Sequence, residues 1–332
     1  MNSKLILRIL LNTGIGVVLI YFWLKLVDLE ATVKVLKEVN PLIIVPCISL
    51  FVLLTVFRSL RLHIFLAPQK ATFKDVLNLN FLSQLLSFLI PIRAGEITKG
   101  VYLSTQYKIP LSRGVALIFL DRFFDFWLVV FLSLILLILI PNTLPQTLVQ
   151  GLIIILFLFT LATIILILFP EKLKKILLSL KKLLVFSFVK KIYIQLVEFV
   201  IDIGVLLQNN LPKMGLIMFY TIASTISEAF VWYILLSSLG ISLNYFSALL
   251  GSMLNALTFL IPAAPGYVGS AEAAGLAVFN LGLGFDKTAV AAATLLYHAF
   301  VLIFMLIFGL LGLYLLKFDL RLVWEKLSNR SK

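Results

Sequence analysis

The sequence predicts an all-α integral membrane protein: about six transmembrane helices plus two oppositely oriented re-entrant helical elements in one polytopic domain. Three observations predict it. Hydrophobic residues make up 62% of the 332, against about 45–50% in soluble globular chains. The apolar residues gather into runs that approach the roughly 20 residues a helix needs to cross a bilayer. The basic residues, which give a formal net charge of +13, sit in segments beside those runs rather than on one folded face. That placement excludes nucleic acid as a partner and points to anionic headgroups at the cytoplasmic face.

The first span covers 5–27. Lys4 and Arg8 followed by apolar sequence could pass for a signal peptide, but no small-x-small cleavage site follows, and Trp23 and Lys25 close the run instead, so it is read as a retained span. A short polar loop over 28–40 leads to span two at 41–66, with Arg58 and Arg61 in its last turns. The next apolar run, 76–91, is too short for a crossing and holds Asn78, Asn80, Ser83, Gln84 and Ser87 before Pro91, which predicts a re-entrant element. The stretch 92–113, with Arg93, Lys99, Lys108 and Arg113, is expected to be a loop.

Span three, 114–140, contains Asp121, Arg122 and Asp125, and closes the first half of the chain at about 140. An uncharged turn over 141–146 precedes span four, which ends near Pro170. The segment 171–191 holds seven lysines and one acid, and 192–211 is amphipathic, as expected of a helix lying in the interface. The second half, 214–316, begins with span five at 214–239, which carries Glu228. A broken element over 245–284 and span six at 288–316 follow, and the chain closes with a basic tail over 317–332. Cys47, the single cysteine, lies in an apolar run and is expected to be a small core residue.

Orientation follows from charge. Placing the seven lysines of 171–191 in the cytoplasm makes the uncharged 141–146 turn external and 93–113 cytoplasmic, with both termini cytoplasmic as well. This holds only if 76–91 and 245–284 each return to the side they entered, the first from the cytoplasm and the second from outside. Each carries Pro, Gly and Glu in that order: Pro91, Gly95 and Glu96, then Pro265, Gly266, Gly269 and Glu272. Opposed broken helices meeting near the midplane are the logic of inverted-repeat transporters.

Non-helical backbone is tolerated in a bilayer only where protein buries it or water reaches it. Pro265, Gly266 and Gly269 are expected to end one half-helix and start another, whose free N–H groups and positive dipole end suit a phosphate oxygen. Against this stands a plain kink satisfied by its neighbours. Glu272 and Glu96 are suited to meeting a cation, pairing with arginine or carrying a proton. Arg93, after a proline turn, is the better phosphate candidate, since guanidinium grips phosphate bidentately. Arg58 and Arg61 share a face and either bind phosphate or snorkel to the interface. Asp121 and Asp125, at i and i+4, face one way; with Arg122 they cost too much to leave against lipid. These three, with Glu228 and His298, form a predicted intramembrane charge network or proton relay. No zinc spacing, nucleotide-binding glycine loop or Ser-His-Asp order appears, so no metal, cofactor or catalytic residue is expected.

Three features carry a family resemblance: Arg58-Ser59-Leu60-Arg61, then Pro91-Ile92-Arg93-Ala94-Gly95-Glu96, then Pro265-Gly266-Tyr267-Val268-Gly269-Ser270-Ala271-Glu272. With Asp121-Arg122 in support, the chain resembles the lysylphosphatidylglycerol synthase transmembrane family, the flippase half of the multiple peptide resistance proteins. The resemblance implies a lipid flippase or translocator without the lysine-transferring soluble domain. It also implies a basic residue in the final span, usually Arg, whose place His298 takes here. The implied function is translocation of a phospholipid or lipid-linked headgroup, with Arg58, Arg61, Arg93, Glu96, Pro265, Gly266, Gly269 and Glu272 meeting the headgroup. Two alternatives stay open. One is a polyprenyl-phosphate-dependent glycosyltransferase using the acids of Asp28-Leu29-Glu30; the other is a scaffold subunit for envelope glycolipid synthesis. Homo-oligomer formation is also open.

Overall fold

The computed structural model describes residues 17–18, 20–21, 23–90, 94–140, 145–183, 186–258 and 264–319. Arg93, Pro91 and most of the first span lie outside them. Among the described residues the chain is all helical: α1 Leu29–Glu38, α2 Ile44–Leu66, α3 Phe73–Leu89, α4 Ala94–Gln106, α5 Leu111–Leu139, α6 Gln146–Leu168, α7 Pro170–Leu180, α8 Ser187–Asn210, α9 Met214–Ser238, α10 Tyr245–Thr258, α11 Ser270–Gly275 and α12 Lys287–Leu316. A π-helical segment, Leu276–Gly282, continues α11.

Among the described residues five stretches are long and apolar enough to cross a membrane: Pro41–Gln69, Arg113–Leu139, Gln146–Leu168, Ser187–Ser238 and Lys287–Leu316. They fall on the expected spans two to six. The fourth also takes in α8, the expected interfacial helix. That helix packs Ile203, Leu206 and Leu207 inward and leaves Glu198 and Asp202 exposed. On α6, Ile154, Phe157 and Leu158 are all more than half exposed, as suits a helix whose surroundings are hydrocarbon. The chain is a multi-pass membrane protein.

Two expected loops are helices. Asp28 caps α1 by accepting from Ala31 N–H at 3.0 Å, so 28–40 folds as a helix that packs on α12. The basic stretch 92–113 contains α4, whose Ala94, Gly95, Thr98, Lys99, Val101 and Leu103 are buried. Gly95 makes this possible: a Cβ there would stand 1.8 Å from the Ser83 carbonyl oxygen, so only glycine lets α4 return against α3.

The two halves repeat. Helices α4 and α5, shifted by 176 residues (94 to 270, 111 to 287), fall on the α11–π run and on α12. Detail follows the same shift. Lys108 and Gly284 both have positive φ, 54° and 73°. Ile109 N–H donates to Leu103 O at 3.3 Å, and Phe285 N–H to Phe279 O at 3.0 Å. Packing obeys the exchange: α3 packs on α12 and its counterpart α10 packs on α5, while α2 packs on its own counterpart α9. One core centres on Trp232, stacked on Tyr297 with ring centres 4.3 Å apart. A second gathers Leu62, Phe65, Leu79, Leu117 and Leu207.

Candidate functional site

Helix α2 presents Arg58 and Arg61 one turn apart, and neither snorkels. Arg61 is fully buried. Its Nε donates to Asp121 Oδ1 at 2.8 Å, and one terminal nitrogen reaches Asp125 Oδ1 at 2.6 Å and Thr221 Oγ1 at 3.0 Å. Asp121 and Asp125 do share a face, as their spacing requires. Arg122 closes the group, 2.8 Å from Asp121 Oδ2 and 3.0 Å from Asp125 Oδ2. Arg58 pairs with Glu228 of α9 at 2.8 Å. Both halves therefore contribute to one charged cluster, with Arg58 and Glu228 tying α2 to α9.

At the edge of this cluster sits Glu96, third residue of α4. Its carboxylate lies 3.6 Å from Lys99 Nζ and 3.7 Å from Arg122 Nε, beyond hydrogen-bond length. The Lys99 side chain is only 2% exposed. Exposure grades across the cluster: Arg61 and Asp121 are at 0%, while Glu96 and Arg122 reach 28% and 35%. The site thus has a dry floor and an open rim. Buried donors on Arg58 (Nε), Arg61 (one terminal N) and Arg122 (Nε) have no hydrogen-bond acceptor, spare capacity that suits an oxyanion.

The second break is arranged otherwise. Gly266 and Gly269 hold φ of 68° and 80°, and Tyr267 shares the left-handed region at 57°, so the turn is tight. Glu272, third residue of α11, accepts the Gly269 N–H at 2.7 Å and meets His298 Nδ1 of α12 at 2.6 Å. The Gly269 N–H at this helix start is taken by the chain's own carboxylate, and the partner of Glu272 is a histidine. Phe88, at the end of α3, stands edge-on to His298 with ring centres 5.8 Å apart and lies 6.1 Å from the Tyr267 ring. The first broken element therefore touches the turn of the second.

The chain matches the lysylphosphatidylglycerol synthase TM region over residues 9–309. It belongs to that family. No curated protein and no solved structure matches it. The family motifs divide by environment in this member. Arg58, Arg61, Glu96, Asp121 and Arg122 share one charged cluster with Asp125 and Glu228, while Pro265, Gly266, Gly269, Glu272 and His298 build the separate clamp. Among the described residues no group of three or more His, Cys, Asp or Glu side chains is placed to hold a metal.

Sequence reasoning missed Lys99, placed in a loop by its basic neighbours. It also missed a polar seam between α2 and α3, where Asn80 donates to Ser59 at 2.8 Å and Gln84 to Thr55 at 3.3 Å. The seam had a signal: Thr55 and Ser59, like Asn80 and Gln84, are four apart and so share a helix face.

Proposed function

We propose that this protein translocates a phospholipid or lipid-linked headgroup across the cell membrane, with both termini in the cytoplasm. The single observation that carries it is the charged cluster of α2, α4, α5 and α9, which grades from a fully buried floor to a partly exposed rim. Asp125 lies fourteen residues into α5, roughly 20 Å along a helix long enough to cross a bilayer. Charge at that depth is costly and marks a path for polar cargo. Membership of a family with a lipid-synthase name supports a lipid as that cargo. Contributions from both halves support this reading, since transporters of this logic hold their cargo between two repeats. Lys172, Lys174, Lys175, Lys181, Lys182, Lys190 and Lys191 would hold the cytoplasmic face to anionic lipid.

Purified protein in liposomes carrying a head-labelled phospholipid tests this. The label on the inner leaflet should become accessible to an impermeant quencher faster than in protein-free vesicles. Equal rates across phosphatidylglycerol, phosphatidylethanolamine and polyprenyl-phosphate probes, with and without protein, would overturn it.

A further inference from the structure

We infer that Lys99 and Arg122 form a binding site for phosphate oxygens, and that Glu96 is the built-in anion that occupies it until a ligand arrives. This deepens the translocation function proposed above by naming the group of the cargo that is held, and where. The observation is a misfit. Three charged side chains meet at the rim of the cluster, yet Glu96 stays 3.6 Å from Lys99 Nζ and 3.7 Å from Arg122 Nε. Charge-assisted N–H···O bonds close to about 2.7–2.9 Å. Elsewhere in the cluster they do: Arg61 and Arg122 hold Asp121 at 2.8 Å. The misfit leaves Glu96 Oε2 and Arg122 Nε both buried and without a hydrogen-bond partner.

A planar carboxylate fails to reach both cations from where α4 holds it. A phosphate is larger and tetrahedral, and its oxygens can meet an ammonium and a guanidinium at once. Two further features favour an anion there. Lys99 is buried, and Glu96 is its one ion-pair partner among the described residues, so displacing Glu96 without replacing its charge would strand a cation in a dry site. Glu96 also lies in the first turn of α4, where the helix dipole favours negative charge whichever anion supplies it. Glu96 is 28% exposed and can swing to the open side while Lys99 and Arg122 stay in place.

The counterpart half shows what the site needs. On the 176-residue shift (96 to 272, 122 to 298), Glu96 maps to Glu272 and Arg122 to His298, but Lys99 maps to Gly275 and Asp121 to Tyr297. With no lysine to satisfy, Glu272 closes on its histidine at 2.6 Å. The loose geometry occurs in the half that has the extra cation.

The test uses full-length purified protein, wild type, Glu96→Gln and Lys99→Met, titrated with dihexanoyl phosphatidylglycerol below its micellar concentration and separately with inorganic phosphate. Removing the resident anion should tighten phosphate-oxygen binding about tenfold, the worth of one charge-assisted contact; Lys99→Met should weaken it by a similar factor. The gain in Glu96→Gln cannot come from misfolding, which keeps the outcome decisive even if Lys99→Met folds poorly. Tightening for the phosphodiester probe supports a lipid source, and tightening for inorganic phosphate alone supports the site with free phosphate as ligand. Unchanged or weaker binding of both probes by Glu96→Gln overturns the inference. Binding that tightens in a protein that moves no headgroup would sink the translocation function and leave this site standing.

Discussion

Glu96 and Glu272 occupy the same place in the two halves, third in the helix after the break, each 26 residues before its basic partner on the following long helix. One is held at 2.6–2.7 Å on two sides and is nearly buried; the other hangs at 3.6–3.7 Å and is more than a quarter exposed. The difference lies in their neighbours. Around Glu272 the chain supplies a backbone N–H and a histidine and asks for nothing more. Around Glu96 it supplies two cations, one of them a buried lysine, and leaves donors unspent. A shared scaffold is closed on itself in one half and left open in the other.

The contrast breaks first if the tight contacts are not structural. Arg61→Met leaves two buried acids, Asp121 and Asp125, to share Arg122 alone, and removing one member of a buried ion cluster costs about 3–5 kcal/mol; a thermal melt in detergent should show the largest loss of the set. Glu272→Ala leaves the Gly269 N–H and the His298 ring unsatisfied, which costs about 1–3 kcal/mol per group, and the melt should fall by an intermediate amount. His298→Arg restores a fixed cation opposite Glu272 and should recover more of the anchor than His298→Ala, which a paired melt will read. Glu96→Gln comes last. Its own contacts are long and partly exposed, and the Gln amide still offers an oxygen to Lys99, so its melt should fall by less than that of Glu272→Ala; a drop as large would erase the distinction.

Hydropathy alone located the five long apolar stretches, because a bilayer demands about 20 apolar residues whatever they pack against. The breaks were legible for a similar reason, since Pro and Gly interrupt a helix locally. Helix α4 was not. Lys99, Thr98 and Thr105 read as loop residues until α3 and α5 are placed around them, and the permissive feature, Gly95 against the Ser83 carbonyl, is a contact across space. The partner of Arg61 was equally hidden: three acids at helix depth were candidates, and only packing selects Asp121 and Asp125 for it and Glu228 for Arg58. The repeat had a trace in the Pro, Gly, Glu order, but its register is obscured because Lys99 faces Gly275 and Asp121 faces Tyr297 across the shift. At the second helix start the Pro and Gly pattern carried no sign that Glu272 would accept the Gly269 N–H, since that contact is set by the backbone turn rather than by the spacing.

The central claim is that the Glu96–Lys99–Arg122 corner handles cargo while the Glu272–His298 clamp holds the fold. The most direct measurement is headgroup translocation in liposomes by Lys99→Met, with its melt recorded on the same preparation. Expected are a melt near that of wild type and a translocation rate down by about tenfold, the loss of one charge-assisted contact to the phosphate. A wild-type rate from that folded variant would contradict it.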